Sequence, residues 1–176
     1  MGDSWFQVAE AVRRLHATDT ITRAHGRFRI EHGRHHLARL IARLLRLPRP
    51  GAAAETKLIV TARAGGERWE RTFDERCFET RQYESNRSEL AERYRVLEFG
   101  FRLNVSDGSL IYIQHEVALV LGVGRVRLPT QWAPHIEARE DPAGPTSVRV
   151  DVRVALPGIG QLIAYSGIID VEETRI

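Results

Sequence analysis

In residues 147–156, SVRVDVRVAL, an aliphatic side chain stands at every second position: Val148, Val150, Val152, Val154 and Leu156. Arg149, Asp151 and Arg153 stand between them. Successive side chains of a strand point to opposite faces, so this segment predicts a strand with one dry face and one wet face. Such strands belong to antiparallel sheets that are covered on one side. The same two-residue period recurs through most of the chain after residue 56. Segments 58–63, 67–73, 77–83, 89–96, 98–105, 109–121 and 160–171 all read as strands. Ser-Asp-Gly at 106–108 predicts a tight hairpin, because Asp-Gly readily takes positive φ. Pro129 and Pro134 interrupt an extended stretch at 126–139, which suits a bent or edge strand.

Helical spacing is confined to residues 1–50. Trp5, Val8, Ala9, Val12 and Leu15 predict a helix over 5–16, with Ser4 and Gln7 in capping-box positions. A short extended stretch follows at 26–32. Leu37, Leu40, Ile41, Leu44 and Leu45 then form a continuous stripe on a second helix over 34–47, with Arg39, Arg43 and Arg46 opposite. Pro48 and Pro50 end it. A helix of this pattern also suits a membrane interface. The strands beyond it need cover for their apolar faces, however, so the stripe is expected to pack on the sheet with the arginines in water. Membrane contact through Arg39, Arg43 and Arg46 is therefore not expected. Together these elements predict one α+β domain over 1–176. Its sheet is antiparallel and strongly curved, half-barrel or barrel-like, of about eight to ten strands, and wraps one or two amphipathic helices.

Charge and composition exclude several classes of function. The formal net charge is only +3, and basic residues alternate with acidic ones, as in ERWERTFDER at 67–76. A nucleic-acid binder gathers its positive charge on one face, so no nucleic-acid partner is expected. Cys77 is the single cysteine, which rules out an internal disulfide and a cysteine-based zinc site. His32, His35 and His36 lack a local carboxylate or cysteine to complete a metal site and read as solvated residues at the helix start. No apolar run approaches the roughly 20 residues that span a bilayer. The N-terminus lacks a signal-peptide pattern, so a cytoplasmic location is expected. Gly-Val-Gly at 122–124 lies between strands and continues as Arg-Val-Arg, so no dinucleotide cofactor is expected.

One residue breaks the alternation. In ERWERTF (67–73), Arg71 lies between Trp69 and Phe73 on the face that should be buried. It is solvated at an edge, or paired with a carboxylate, or ready for an anionic ligand. A buried guanidinium is costly unless acceptors satisfy it, so a structural pair is expected, with Glu92 first in line and Glu137 and Glu140 as alternatives. His115 shares a strand face with Ile111, Ile113, Val117, Leu119 and Leu121. It is either a core histidine bonded to a carbonyl, a proton-transfer group, or a polar anchor in an apolar pocket. Trp132, in a proline-bounded loop, is a lid or a loop anchor. Cys77 has no base beside it and reads as a passive strand residue.

The chain resembles the bacterial family of unknown function DUF4166. The resemblance runs from about Val8 to Gly167 and is carried by VRRLH (12–16), LARLIARLLRLP (37–48), ERWERTF (67–73), AERY (91–94), LPTQWAPHIEARE (128–140) and LPGIGQLIAYSG (156–167). The family implies no activity, cofactor or catalytic residue. Its domain stands alone or is fused to a dehydrogenase-like domain. The chain departs from the pattern at Arg95, where a glycine is usual, and at Ser166, where a second arginine is usual.

The leading functional expectation is a binding domain with an apolar cavity between helix and sheet, taking a lipid-like or polyketide-like ligand. Trp69, Arg71, Tyr112, His115, Trp132 and Tyr165 are its candidate contacts. The alternatives are a cyclase or isomerase using the same cavity, with His115 or Glu92 in proton transfer, and a non-catalytic module for a separate dehydrogenase-like partner.

Overall fold

The computed structural model describes residues 2–16, 21–85 and 89–174. A 3₁₀ turn (Gly2–Gln7) and helix α1 (Glu10–Leu15) precede strand β1 (Ile21–His32) and helix α2 (His36–Leu44). Ten strands follow: β2 (Gly51–Arg63), β3 (Gly66–Phe73), β4 (Arg76–Glu84), β5 (Leu90–Tyr94), β6 (Leu97–Ser106), β7 (Ser109–Leu121), β8 (Gly124–Arg127), β9 (His135–Pro142), β10 (Ser147–Leu156) and β11 (Gly160–Thr174). All pairings are antiparallel. The spatial order is β6-β5-β4-β3-β2-β1-β11-β10-β9-β7, and β6 pairs with β7 to close the ring. The result is a closed barrel of every strand but β8, which extends β7 as a hairpin.

The hairpin between β6 and β7 turns at Asp107 (φ 52) and Gly108 (φ 79), as Asp-Gly predicts. The strands begin earlier than expected. β1 starts at Ile21 and β2 at Gly51, ahead of the extended stretches predicted at 26–32 and 58–63. The predicted first helix is broken between Gln7 and Glu10, where Ala9 is extended (ψ 146) and its N–H bonds to the carbonyl of Gly108. The side chain of Ser4, the predicted cap, lies outside the described residues.

The helices sit at the two ends of the barrel. At one end α1 buries Ala11, Val12 and Leu15, and the Thr22 hydroxyl donates to the carbonyl of Arg14. At the other, α2 starts beside β11, where Gly33 N–H bonds to the carbonyl of Leu162, and reaches β5, where the Tyr94 hydroxyl donates to the carbonyl of Leu45 at 2.7 Å. Arg76 donates to the carbonyl of Leu47 from β4. The helix thus crosses the mouth.

Its leucine stripe does not pack on the sheet as expected. Ala38 and Ala42 are fully buried, whereas Leu37 and Leu40 are each 50% exposed and Leu44 68%. A helix pressed against a rim of strand ends needs small residues at the contact, and the two alanines meet that need. The contact face is therefore rotated towards the alanines, and Ile41 and Leu45 remain half-buried beside it.

Candidate functional site

Inside the barrel lies a cavity of about 330 Å³. Antiparallel partners share a face, so the pairing register defines its wall. Val150, Val152, Val154 and Leu156 of β10 point inward, as their alternation predicts. Opposite them stand Phe99 and Phe101 of β6, and Ile41 and Leu45 of α2 roof the α2 end.

Polar groups gather on part of this wall. Arg71 points inward between Trp69 and Phe73, as the period predicts. Its Nη1 donates to the Thr80 hydroxyl at 2.7 Å, and its guanidinium lies 3.5 Å from Glu92 Oε1 and 4.8 Å from the Trp69 ring centre. Glu92 is thus its nearest carboxylate. A bidentate pair would sit near 2.8 Å on two oxygens, so this contact, on a single oxygen, is looser than that. Burial works against the charge on Arg71, and Glu92 foremost among its neighbours outweighs it, so its pKa is raised.

A second cluster adjoins the first. Tyr112 of β7 donates to Glu140 Oε1 at 3.0 Å, and His16, just past α1, holds Glu140 Oε2 at 2.7 Å through Nε2. Tyr112 and Glu140 line the cavity, while His16 stands behind them with its ring 5.0 Å from that of Trp69. Burial lowers the tendency of His16 to carry a proton, but Glu140 outweighs burial and its pKa is raised. Burial lifts the Tyr112 hydroxyl well above its ordinary range, with Glu140 adding to the effect. Tyr165 also lines the cavity, against Phe73 at 5.4 Å, and burial pushes its hydroxyl up to about 12. Glu140 and Tyr112 can pass a proton between the cavity and His16, and Arg71 can donate to an oxygen placed in it.

Of the residues singled out in the sequence, Trp69, Arg71, Glu92, Tyr112 and Tyr165 meet at this cavity. His115 and Trp132 do not. A bulge between Gly100 and Phe101 shifts the β6–β7 register, so that Phe99 faces Val117 while Phe101 faces Gln114. The extra residue on β7 reverses the two-residue phase. Val117 and Leu119 therefore share the inner face with Tyr112, whereas Ile111, Ile113 and His115 share the outer one. His115 Nε2 there lies 2.9 Å from Glu89 Oε2. Trp132 is 73% exposed in the loop before β9.

His16 escapes sequence reading as a site residue, because nothing local links it to Glu140, 124 positions on. Glu140 carries a clearer signal: Ile136, Ala138 and Glu140 alternate on β9, and its partner on β10 is Val150. His35 caps α2 through Nδ1, and His32 Nε2 contacts the carbonyl of Pro48 at 2.7 Å. Among the described residues no three His, Cys, Asp or Glu side chains form a metal-binding group. Nor is any described helix long and apolar enough to cross a membrane.

No match is found among curated proteins or among solved structures. A family model does match, over residues 8–169, and it takes in both helices and nearly all of the barrel that builds the cavity. The chain belongs to the family described as "Domain of unknown function (DUF4166)".

Proposed function

We propose that the barrel binds a small, mainly apolar molecule that is uncharged and carries at least one hydrogen-bonding oxygen. The carrying observation is the composition of the cavity wall. Most of it is aliphatic or aromatic, and its charged groups are paired: Arg71 with Glu92, Glu140 with His16 behind it, and Arg139 with Asp141. A ligand carboxylate would add a negative charge beside two carboxylates. A carbonyl or hydroxyl can instead accept from Arg71 or donate to Glu140 without disturbing the balance. A few polar groups in an apolar concavity of this size suit a lipid-like or polyketide-like ligand.

Native mass spectrometry of protein purified from its own host tests this, alongside titration with the neutral fluorophore N-phenyl-1-naphthylamine. An extra mass that leaves on denaturation, together with saturable fluorescence enhancement, is expected. Bare polypeptide and no enhancement would sink the reading. A two-chain complex without a small molecule would instead favour a module serving a partner such as a dehydrogenase-like protein.

A second reading, acid–base catalysis of the isomerase or cyclase type, is favoured by the chain from Tyr112 through Glu140 to His16. It joins a cavity-facing carboxylate to a second proton-binding group, as proton transfer requires. Glu92 remains a candidate here by its place on the cavity wall. His115 has no access to the cavity and takes no part. Under this reading Glu140→Gln keeps the affinity for the ligand recovered from the host and lowers its conversion by about a hundredfold or more. Equal conversion by wild type and variant would leave only the binding role.

A further inference from the structure

The geometry points to the α2 end of the barrel as a docking surface for an anionic lipid bilayer. Exposed large apolar side chains concentrate at this end: Leu37, Leu40 and Leu44 on α2, Val96 after β5, Leu121, Val123 and Val126 on the β7–β8 hairpin, and Trp132 in the loop leading to β9. Strand direction establishes the shared location. β1 ends, β5 ends, β7 ends and β9 begins at the end where α2 lies. The opposite end is occupied by α1.

The charge around α2 selects the partner. Residues 33–50 contain five arginines (Arg34, Arg39, Arg43, Arg46 and Arg49) and no aspartate or glutamate. All five are exposed, and among the described residues none has a carboxylate partner. On the adjoining hairpin Arg125 pairs with Glu98 and Glu116, so those carboxylates add no free negative charge. Asp74 and Glu75, on the β3–β4 turn, oppose five unpaired cations. Leucines beside unpaired arginines, with a tryptophan at the same end, suit an interface of acyl chains and anionic headgroups. The helix that lies across the cavity mouth is the one that would touch the lipid. Docking stands on the exposed surface of the α2 end and not on the cavity; its use to exchange ligand with the bilayer rests on the binding reading above.

Co-sedimentation with vesicles of phosphatidylcholine alone, or mixed with phosphatidylglycerol, tests the docking. The chain is expected to sediment with the mixed vesicles, less so at high salt, and not with the neutral ones. Arg39→Glu with Arg43→Glu should weaken binding about a hundredfold, from the charge reversal of two surface arginines. Leu40→Ser with Leu44→Ser should weaken it about tenfold or more by removing buried apolar area. All four side chains are exposed, so folding should survive, and retained enhancement of N-phenyl-1-naphthylamine verifies it. No sedimentation with the mixed vesicles overturns the proposal, as does sedimentation indifferent to both variant pairs. A chain that stays off vesicles and dimerises through these leucines overturns it in favour of a second copy. The cavity variant Val152→Phe separates the two readings. Loss of fluorophore binding with vesicle binding intact bears on the cavity alone, and the reverse pattern bears on α2 alone.

Discussion

At the scale of single residues, the interior is governed by what a buried charge requires. Arg71 has a hydroxyl at 2.7 Å and a carboxylate only at 3.5 Å, so it is satisfied without being locked in place. His16 and Glu140 are closer, at 2.7 Å, and both are nearly inaccessible. This pair couples stability to pH. The folded-state pKa of His16 lies above its ordinary value of 6.5, so the folded chain binds the proton more tightly than the unfolded one. Its stabilisation is then fully present below about pH 6.5 and is lost as pH rises through the folded value. Chemical denaturation across pH 5.5 to 9 should show stability falling as pH rises above about 6.5. In His16→Gln that slope should flatten, with a loss of about 1–3 kcal/mol at the acidic end. A wild-type curve that is flat or rising there would show that His16 is neutral in the folded state. The inward place of Arg71 was legible because a two-residue period fixes a face. The place of His115 was not, because a single bulged residue reverses the phase and leaves no mark in composition.

At the scale of elements, α2 carries opposite demands on its two sides. Its amphipathic pattern marked it as a helix, yet the same pattern gave the wrong contact face. Leucine and alanine both count as apolar, and only the rim geometry decides which of them fits. The helix is held at its C-terminal end by the Tyr94 hydroxyl, bonded to the carbonyl of its C-cap Leu45, and just beyond it by the Arg76 guanidinium, bonded to the carbonyl of Leu47. Half-burial pushes the Tyr94 hydroxyl pKa up, so the phenol stays protonated and able to donate. Tyr94→Phe removes this tether and leaves the ring stacked on Phe78 at 4.5 Å. Removing one such hydrogen bond should cost about 1 kcal/mol of global stability. Hydrogen exchange in residues 36–47 should accelerate by more than that loss explains, because the opening is local to α2. Unchanged protection across the segment would mean that the buried alanines alone hold the helix over the mouth.

At the scale of the whole molecule, the sequence pattern reached a half-barrel or barrel-like sheet and left its closure open; the ring closes. Each hairpin pairing is local, but the ring depends on β1 meeting β11, a contact between residues 21–32 and 163–174. A packed core and a hollow one also share the same alternation, since both require apolar residues at every second position. The hollow interior has an energetic consequence. The atoms lining an unfilled apolar space of about 330 Å³ forgo the dispersion contacts a packed core would give them. Such a space favours an occupant, or a side chain that takes its place. Val152 lies between Ala138 and Tyr165 on the wall, where a larger ring projects into open volume. Val152→Phe should therefore raise the stability of the ligand-free protein by about 0.5–2 kcal/mol, the usual gain from filling a cavity. It should also lower affinity for N-phenyl-1-naphthylamine by about tenfold or more, since one methyl-sized clash costs 1–3 kcal/mol. Thermal melts with and without fluorophore read both effects: the ligand-free midpoint rises and the ligand-induced increment shrinks. A variant that is destabilised and binds as before would mean that the interior is already filled by its own side chains.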